Sequence, residues 1–100
     1  MSLPTARMLD TGIGVDDCHS TPKTGTGFII QGAGNVITNG LPTARMLDTV
    51  MFGDGHTGII IGGSGTVIAN GLPVARMLDE FIGCFTGYLI EGAVDVFTGG

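Results

Sequence analysis

One eight-residue phrase occurs three times in this chain. Residues 3–10 read L-P-T-A-R-M-L-D, residues 41–48 read the same letters, and residues 72–79 read L-P-V-A-R-M-L-D. A second block follows in step: G-F-I-I-Q-G-A-G-N-V-I-T-N-G at 27–40, G-I-I-I-G-G-S-G-T-V-I-A-N-G at 58–71 and G-Y-L-I-E-G-A-V-D-V-F-T-G-G at 87–100. A triplicated unit folds by stacking its copies, because one copy alone cannot bury its apolar face. The units 3–40, 41–71 and 72–100 fill the chain, so residues 1–100 are expected to form a single domain with no space for a fused second one.

The repeated blocks read as strand and turn. β-branched residues stand between glycines, with an apolar run such as Phe28-Ile29-Ile30, a glycine-rich turn at Gly32-Ala33-Gly34, and then Val36-Ile37-Thr38. Asn39-Gly40, Asn70-Gly71 and Gly99-Gly100 supply the positive φ of a tight turn. Pro42 and Pro73 follow, and a residue without an N–H suits a chain that has just left a sheet. The expected fold is all-β, a small β-helical or prism-like wrap of three repeats. Nineteen glycines, six aromatics and only 13 charged residues agree with it, because exposed helix faces need more Glu, Lys and Arg.

Charge excludes some partners. Nine acidic residues stand against four basic ones, three of which are the arginines of the repeated phrase, so no phosphate-binding face remains and nucleic acid is not expected as a partner. Residues 24–44 and 55–75 carry no formal charge, but Gly and Pro interrupt both, which argues against a transmembrane helix. The opening M-S-L-P-T-A-R-M-L-D has an early proline, an acid and no apolar stretch. It does not read as a signal peptide, so assembly in the cytoplasm is expected.

The segments joining the two blocks, 11–26, 49–57 and 80–86, differ in length, and in a regular repeat such segments gather on one face or end. They make up 32 of the 100 residues yet hold both cysteines and both histidines: Cys18, His19, His56 and Cys84. Random placement would achieve this about one time in a hundred. Two thiolates and two imidazoles form a closed tetrahedral set for structural zinc, with iron as the alternative metal. Three glycine-rich loops have little apolar surface to pack, and a shared cation ties them where a core cannot. Asp16 and Asp17 are possible oxygen ligands in place of His19, because adjacent residues such as Cys18 and His19 tend to point apart. The competing reading is a Cys18–Cys84 disulfide, which would leave both histidines idle and does not suit a reducing compartment.

Each repeated arginine precedes an aspartate by three residues: Arg7 and Asp10, Arg45 and Asp48, Arg76 and Asp79. The simplest role for these pairs is a local brace at a corner. Met8, Met46 and Met77 are expected to pack.

The phrases L-P-T-A-R and L-P-V-A-R, preceded in units two and three by V-I-T-N-G or V-I-A-N-G, resemble the PAAR-repeat family, typified by V-x-I-N-G-x-P-A-A-R. The likeness spans the whole chain. Thr43 and Val74 replace the motif's first alanine, and two cysteines with two histidines depart from the family's more histidine-rich ligand set. The family's Pro and Arg fall on Pro4 and Arg7, Pro42 and Arg45, Pro73 and Arg76. The resemblance implies a short cone with a metal, usually zinc, near its apex. It also implies a partner, the homotrimeric β-helical spike (a valine-glycine-repeat protein or phage tail spike) of a type VI secretion system or contractile phage tail baseplate. One chain per trimer would cap that spike and meet a target membrane transiently, as a structural part without enzymatic activity. Two other readings compete: a free-standing zinc-binding adaptor, and a hydrolase using Cys18 or Cys84 with His56 as base. The second lacks an acyl-transfer or phosphate motif, since G-I-I-I-G-G-S-G has neither the Lys-Ser/Thr ending nor a following helix.

Overall fold

A computed structural model describes residues 2–16, 18 and 23–99. Twelve strands and no helix occur among the described residues: β1 (Leu3–Pro4), β2 (Thr11–Asp16), β3 (Thr24–Ile29), β4 (Ile37–Thr38), β5 (Leu41–Pro42), β6 (Thr49–Phe52), β7 (Thr57–Ile60), β8 (Ile68–Ala69), β9 (Leu72–Pro73), β10 (Glu80–Gly83), β11 (Phe85–Leu89) and β12 (Phe97–Thr98). The all-β expectation holds. The core, however, is a closed antiparallel barrel in the order β10-β11-β2-β3-β6-β7, in place of the expected β-helical wrap. Each repeat contributes one hairpin (β2–β3, β6–β7, β10–β11), and neighbouring hairpins join through β3–β6, β7–β10 and β11–β2. Closure leaves none of the six longer strands with a free edge.

The strand and turn blocks at 28–30 and 36–38 do not pair with each other, since both edges of β3 are taken by β2 and β6. Instead β4 pairs with β5 across Asn39-Gly40, with Thr38 opposite Leu41 and Ile37 opposite Pro42. The φ values of 51° and 79° at Asn39 and Gly40, and 50° and 81° at Asn70 and Gly71, are those of the type I′ turn that the Asn-Gly pairs predict. In the third copy β12 pairs with β1, so the two ends of the chain meet where the other units have a turn. Gly100 lies outside the described residues. The prolines do sit in strands, contrary to expectation, but only in two-residue ladders, where a missing N–H costs little.

The three units meet at a ring of backbone hydrogen bonds. Ala6 N–H donates to Ala75 O, Ala75 N–H to Ala44 O, and Ala44 N–H to Ala6 O, each at 3.0 Å. All three alanines are fully buried, and only a small side chain fits where three backbones converge. Beside them stand Thr5, Thr43 and Val74. Thr5 shares a hydroxyl hydrogen bond with Thr98 and Thr43 one with Thr38, whereas Val74 packs with Ala69 and Ala33. The third corner thus replaces both polar partners with apolar ones, leaving no buried hydroxyl unmatched.

The predicted arginine braces are present. Asp10 Oδ2 accepts from Arg7 N (2.8 Å) and Nε (3.0 Å), and Oδ1 accepts from Nη2 at 2.8 Å. Asp48 with Arg45 and Asp79 with Arg76 repeat the fork. These carboxylates are buried, so bidentate geometry and a backbone N–H offset their desolvation.

Inside the barrel the copies are equivalent in backbone but complementary in side chain. Gly12, Val50 and Phe81 occupy the same position, each opposite Leu89, Ile29 or Ile60 of the adjoining hairpin and Gly27, Gly58 or Gly87 of its own. One large ring therefore fills a cross-section that one glycine vacates. A Cβ on Gly12 would lie 2.7 Å from the Phe81 ring, and one on Gly58 equally close. Gly12 and Gly58 are thus packing positions under an aromatic ring. Phe52 and Phe85 complete the core, stacked at 3.8 Å between centroids and 4° between planes.

Gly12→Ala is expected to destabilise the barrel by about 1–3 kcal/mol through overpacking. Adding Phe81→Leu should recover part of that loss although Phe81→Leu alone destabilises. A double-mutant cycle by denaturant unfolding checks this, and additive effects would show that the two positions do not share space.

Candidate metal centre

One end of the barrel collects the unequal connectors. Strand β2 alternates inward Gly12, Gly14 and Asp16 with outward Ile13 and Val15, which carries the Asp16 carboxylate inside at the strand's last residue, only 3% exposed. Asp16 Oδ1 accepts the N–H of Cys18 at 2.9 Å. The β6–β7 turn repeats this device. Asp54 Oδ1 accepts the N–H of His56 at 2.9 Å, two residues on, while Asp54 Oδ2 lies 3.1 Å from His56 Nδ1. Aspartate is suited to such turns because its short side chain reaches the backbone two residues ahead. Gly55 occupies the left-handed φ of 88° that lets this turn close, with Gly55 N–H donating to Phe52 O and Phe52 N–H to His56 O.

The third connector joins the other two. Cys84 N–H donates to Thr57 O at 3.2 Å, beside His56, and its sulfur is bonded to that of Cys18, 66 residues away, with the two Cα atoms 5.0 Å apart. Cys18 and Cys84 do meet at one end, but as a disulfide. This is the competing reading weighed in the sequence, and in this state the bonded sulfurs carry no charge to offer a cation. His19 and Asp17, also considered as ligands, lie outside the described residues.

The carboxylates of Asp16 and Asp54 and the imidazole of His56 place one ligand atom each within 4.8 Å of one another. This is the metal-capable group among the described residues. Asp16 is buried, His56 half-buried and Asp54 exposed, so the cluster opens from the barrel interior toward solvent. Two anionic oxygens and an imidazole suit a divalent cation, and three protein ligands leave positions for water. A cation there would offset the mutual repulsion of the two carboxylates. Of this group, the sequence singled out His56 as a candidate ligand and Asp16 as a possible substitute. It did not single out Asp54, although the D-G-H spacing carries the signal: a turn aspartate two residues before a histidine directs its carboxylate to that residue.

The chain matches no protein-family model, and no curated protein matches it.

The disulfide closes a long loop and is expected to stabilise the folded chain by about 2–5 kcal/mol. Unfolding of the Cys18→Ser/Cys84→Ser protein beside the oxidised parent measures this, and equal midpoints would show that the barrel alone fixes this end.

Proposed function

We propose that this chain is the small mechanical cap of a threefold-symmetric spike in a contractile injection machine, with the disulfide and metal centre at its narrow leading end. The observation that carries this reading is the recurrence of the same exposed apolar side chains in all three units, away from that end. Leu9, Leu47 and Leu78 are 57%, 56% and 56% exposed and have φ values of 77°, 76° and 76°. Each occupies the third position of a turn in which the aspartate N–H (Asp10, Asp48, Asp79) donates to the arginine carbonyl (Arg7, Arg45, Arg76). That position of a type II turn normally belongs to glycine.

A leucine held in the left-handed region costs on the order of 1–2 kcal/mol, and more than half of its side chain gains nothing from burial in the isolated chain. Three copies of that cost have a purpose if a partner covers the leucines. Ile37, Ile68 and Phe97 form a second exposed triplet, in β4, β8 and β12. Positions equivalent under threefold repetition lie on rings about one axis, so the surface they make fits a partner that presents three like subunits. The homotrimeric β-helical spike expected from the PAAR-like phrases has that symmetry. The closed barrel and its cross-linked end suit a part that must keep its shape under load.

The test is stoichiometric binding to a purified trimeric β-helical spike protein from the same genomic neighbourhood, with one chain per trimer expected. Replacing Leu9, Leu47 and Leu78 with glycine relieves the backbone while removing the side chains. The triple variant should unfold within about 1 kcal/mol per site of the parent and bind at least about a hundredfold more weakly, the loss expected of central apolar anchors. Undiminished binding by that variant, or no complex with the parent, sinks the proposal.

A further inference from the structure

We infer that the Cys18–Cys84 pair and the neighbouring cation site form one redox-gated centre: oxidised, it holds a metal weakly through Asp16, Asp54 and His56, and reduced, it binds zinc tightly through the two released thiolates. This rests on reading that end as a metal centre and is independent of the partner at the other end. Two connections carry it. Cys18 is anchored by its N–H to the carboxylate of Asp16, itself a member of the cluster. Cys84 is anchored by its N–H to Thr57, the residue after His56. The disulfide is thus tied by the cysteines' own N–H groups to one ligand, Asp16, and to the residue that follows another, His56.

The chemistry of the two states differs in kind. With the disulfide intact, the donors are two carboxylate oxygens and one imidazole nitrogen, a set without strong preference among divalent ions. A dithiol reductant breaks the S–S bond by thiolate attack and exchange. It delivers two electrons, leaves as its own cyclic disulfide, and releases two cysteine thiols that lose their protons on binding metal. Two thiolates with His56 and one carboxylate complete a four-coordinate set of the kind zinc favours. Without a cation the two cysteines remain neutral thiols beside Asp16 and Asp54, and a small-molecule disulfide re-oxidises them by exchange, leaving as its own two thiols. Metal therefore favours the reduced pair, and its loss favours the disulfide. A hundredfold tighter zinc affinity in the reduced state corresponds to a rise of about 59 mV in the pair's reduction potential. A cap that assembles in a reducing compartment and is driven into an oxidising one would begin metal-pinned and end covalently pinned.

The experiment uses the full chain in two states, air-oxidised and reduced with a phosphine, which takes up the oxygen of one water per disulfide and adds no competing thiol. Zinc affinity is measured against a chelating dye, and free thiols are counted after exposure to a small-molecule disulfide with and without zinc. The reduced chain should bind one zinc at least a hundredfold more tightly than the oxidised chain, and bound zinc should slow re-formation of the disulfide at least tenfold. Cobalt in place of zinc should give a near-ultraviolet thiolate charge-transfer band in the reduced parent alone, a readout that needs no variant. In Cys18→Ser/Cys84→Ser, reductant should leave the weak affinity unchanged. Equal zinc affinity in the two oxidation states overturns the gating while keeping the metal centre, whereas no zinc binding in either state overturns both.

Discussion

The cyclic hydrogen bonds of Ala6, Ala44 and Ala75 are the constraint from which the rest of the molecule follows. Each alanine donates to one neighbouring unit and accepts from the other, so the ring is complete only when all three repeats have arrived. Backbone polar groups buried this deeply must be paired, and no single unit can pair its own. The demand reaches outward along the repeated phrase. The residue before each alanine is buried at a corner, and the arginine after it is fixed by a buried aspartate fork. The leucine between arginine and aspartate is turned into the left-handed region, where its side chain faces solvent. Exposed leucines are thus the far consequence of a buried ring.

From that ring the chain runs into the barrel, where threefold repetition stops being useful. A six-stranded barrel has a narrow interior, and three identical large side chains at one level would collide there. Gly12, Val50 and Phe81 resolve this by being unlike, and Phe81 takes the space that Gly12 and Gly58 leave. Symmetry of the backbone and asymmetry of the side chains are therefore both required: the first by hydrogen bonding, the second by volume. At the connector end the asymmetry extends to the backbone. The three connector segments bring different chemistry there: Asp16 and Cys18 from the first, Asp54 and His56 from the second, Cys84 from the third.

The closed barrel joins residues far apart in sequence, as in the pairing of β11 with β2, Leu89 opposite Gly12. Such long-range closure forms late and slowly compared with local turns, because the loop entropy must be met before the contact forms. The Asn39-Gly40 and Asn70-Gly71 turns are local and are organised by their own residues. The disulfide spans 66 residues and depends on the finished barrel to bring its cysteines together.

Sequence by itself determined what is local or repeated: three units and their boundaries, all-β character, the type I′ turns at Asn-Gly, the Arg–Asp braces, and the gathering of Cys18, His56 and Cys84 at one end. These follow from spacing, from turn chemistry confined to a few residues, and from the rule that irregular connectors share a face. Only the tertiary structure decided that the strands close into a barrel. Val36-Ile37-Thr38 has the same strand signal whether it pairs with Phe28-Ile29-Ile30 or with Leu41-Pro42, and the choice rests on which edges remain unpaired after closure. It likewise decided that Gly12 and Gly58 are packing sites, that two sulfurs bond to each other, and that Asp54 stands beside His56 and Asp16. Each of these depends on a distance between residues of different repeats or on the direction of one carboxylate, and residue order alone carries neither.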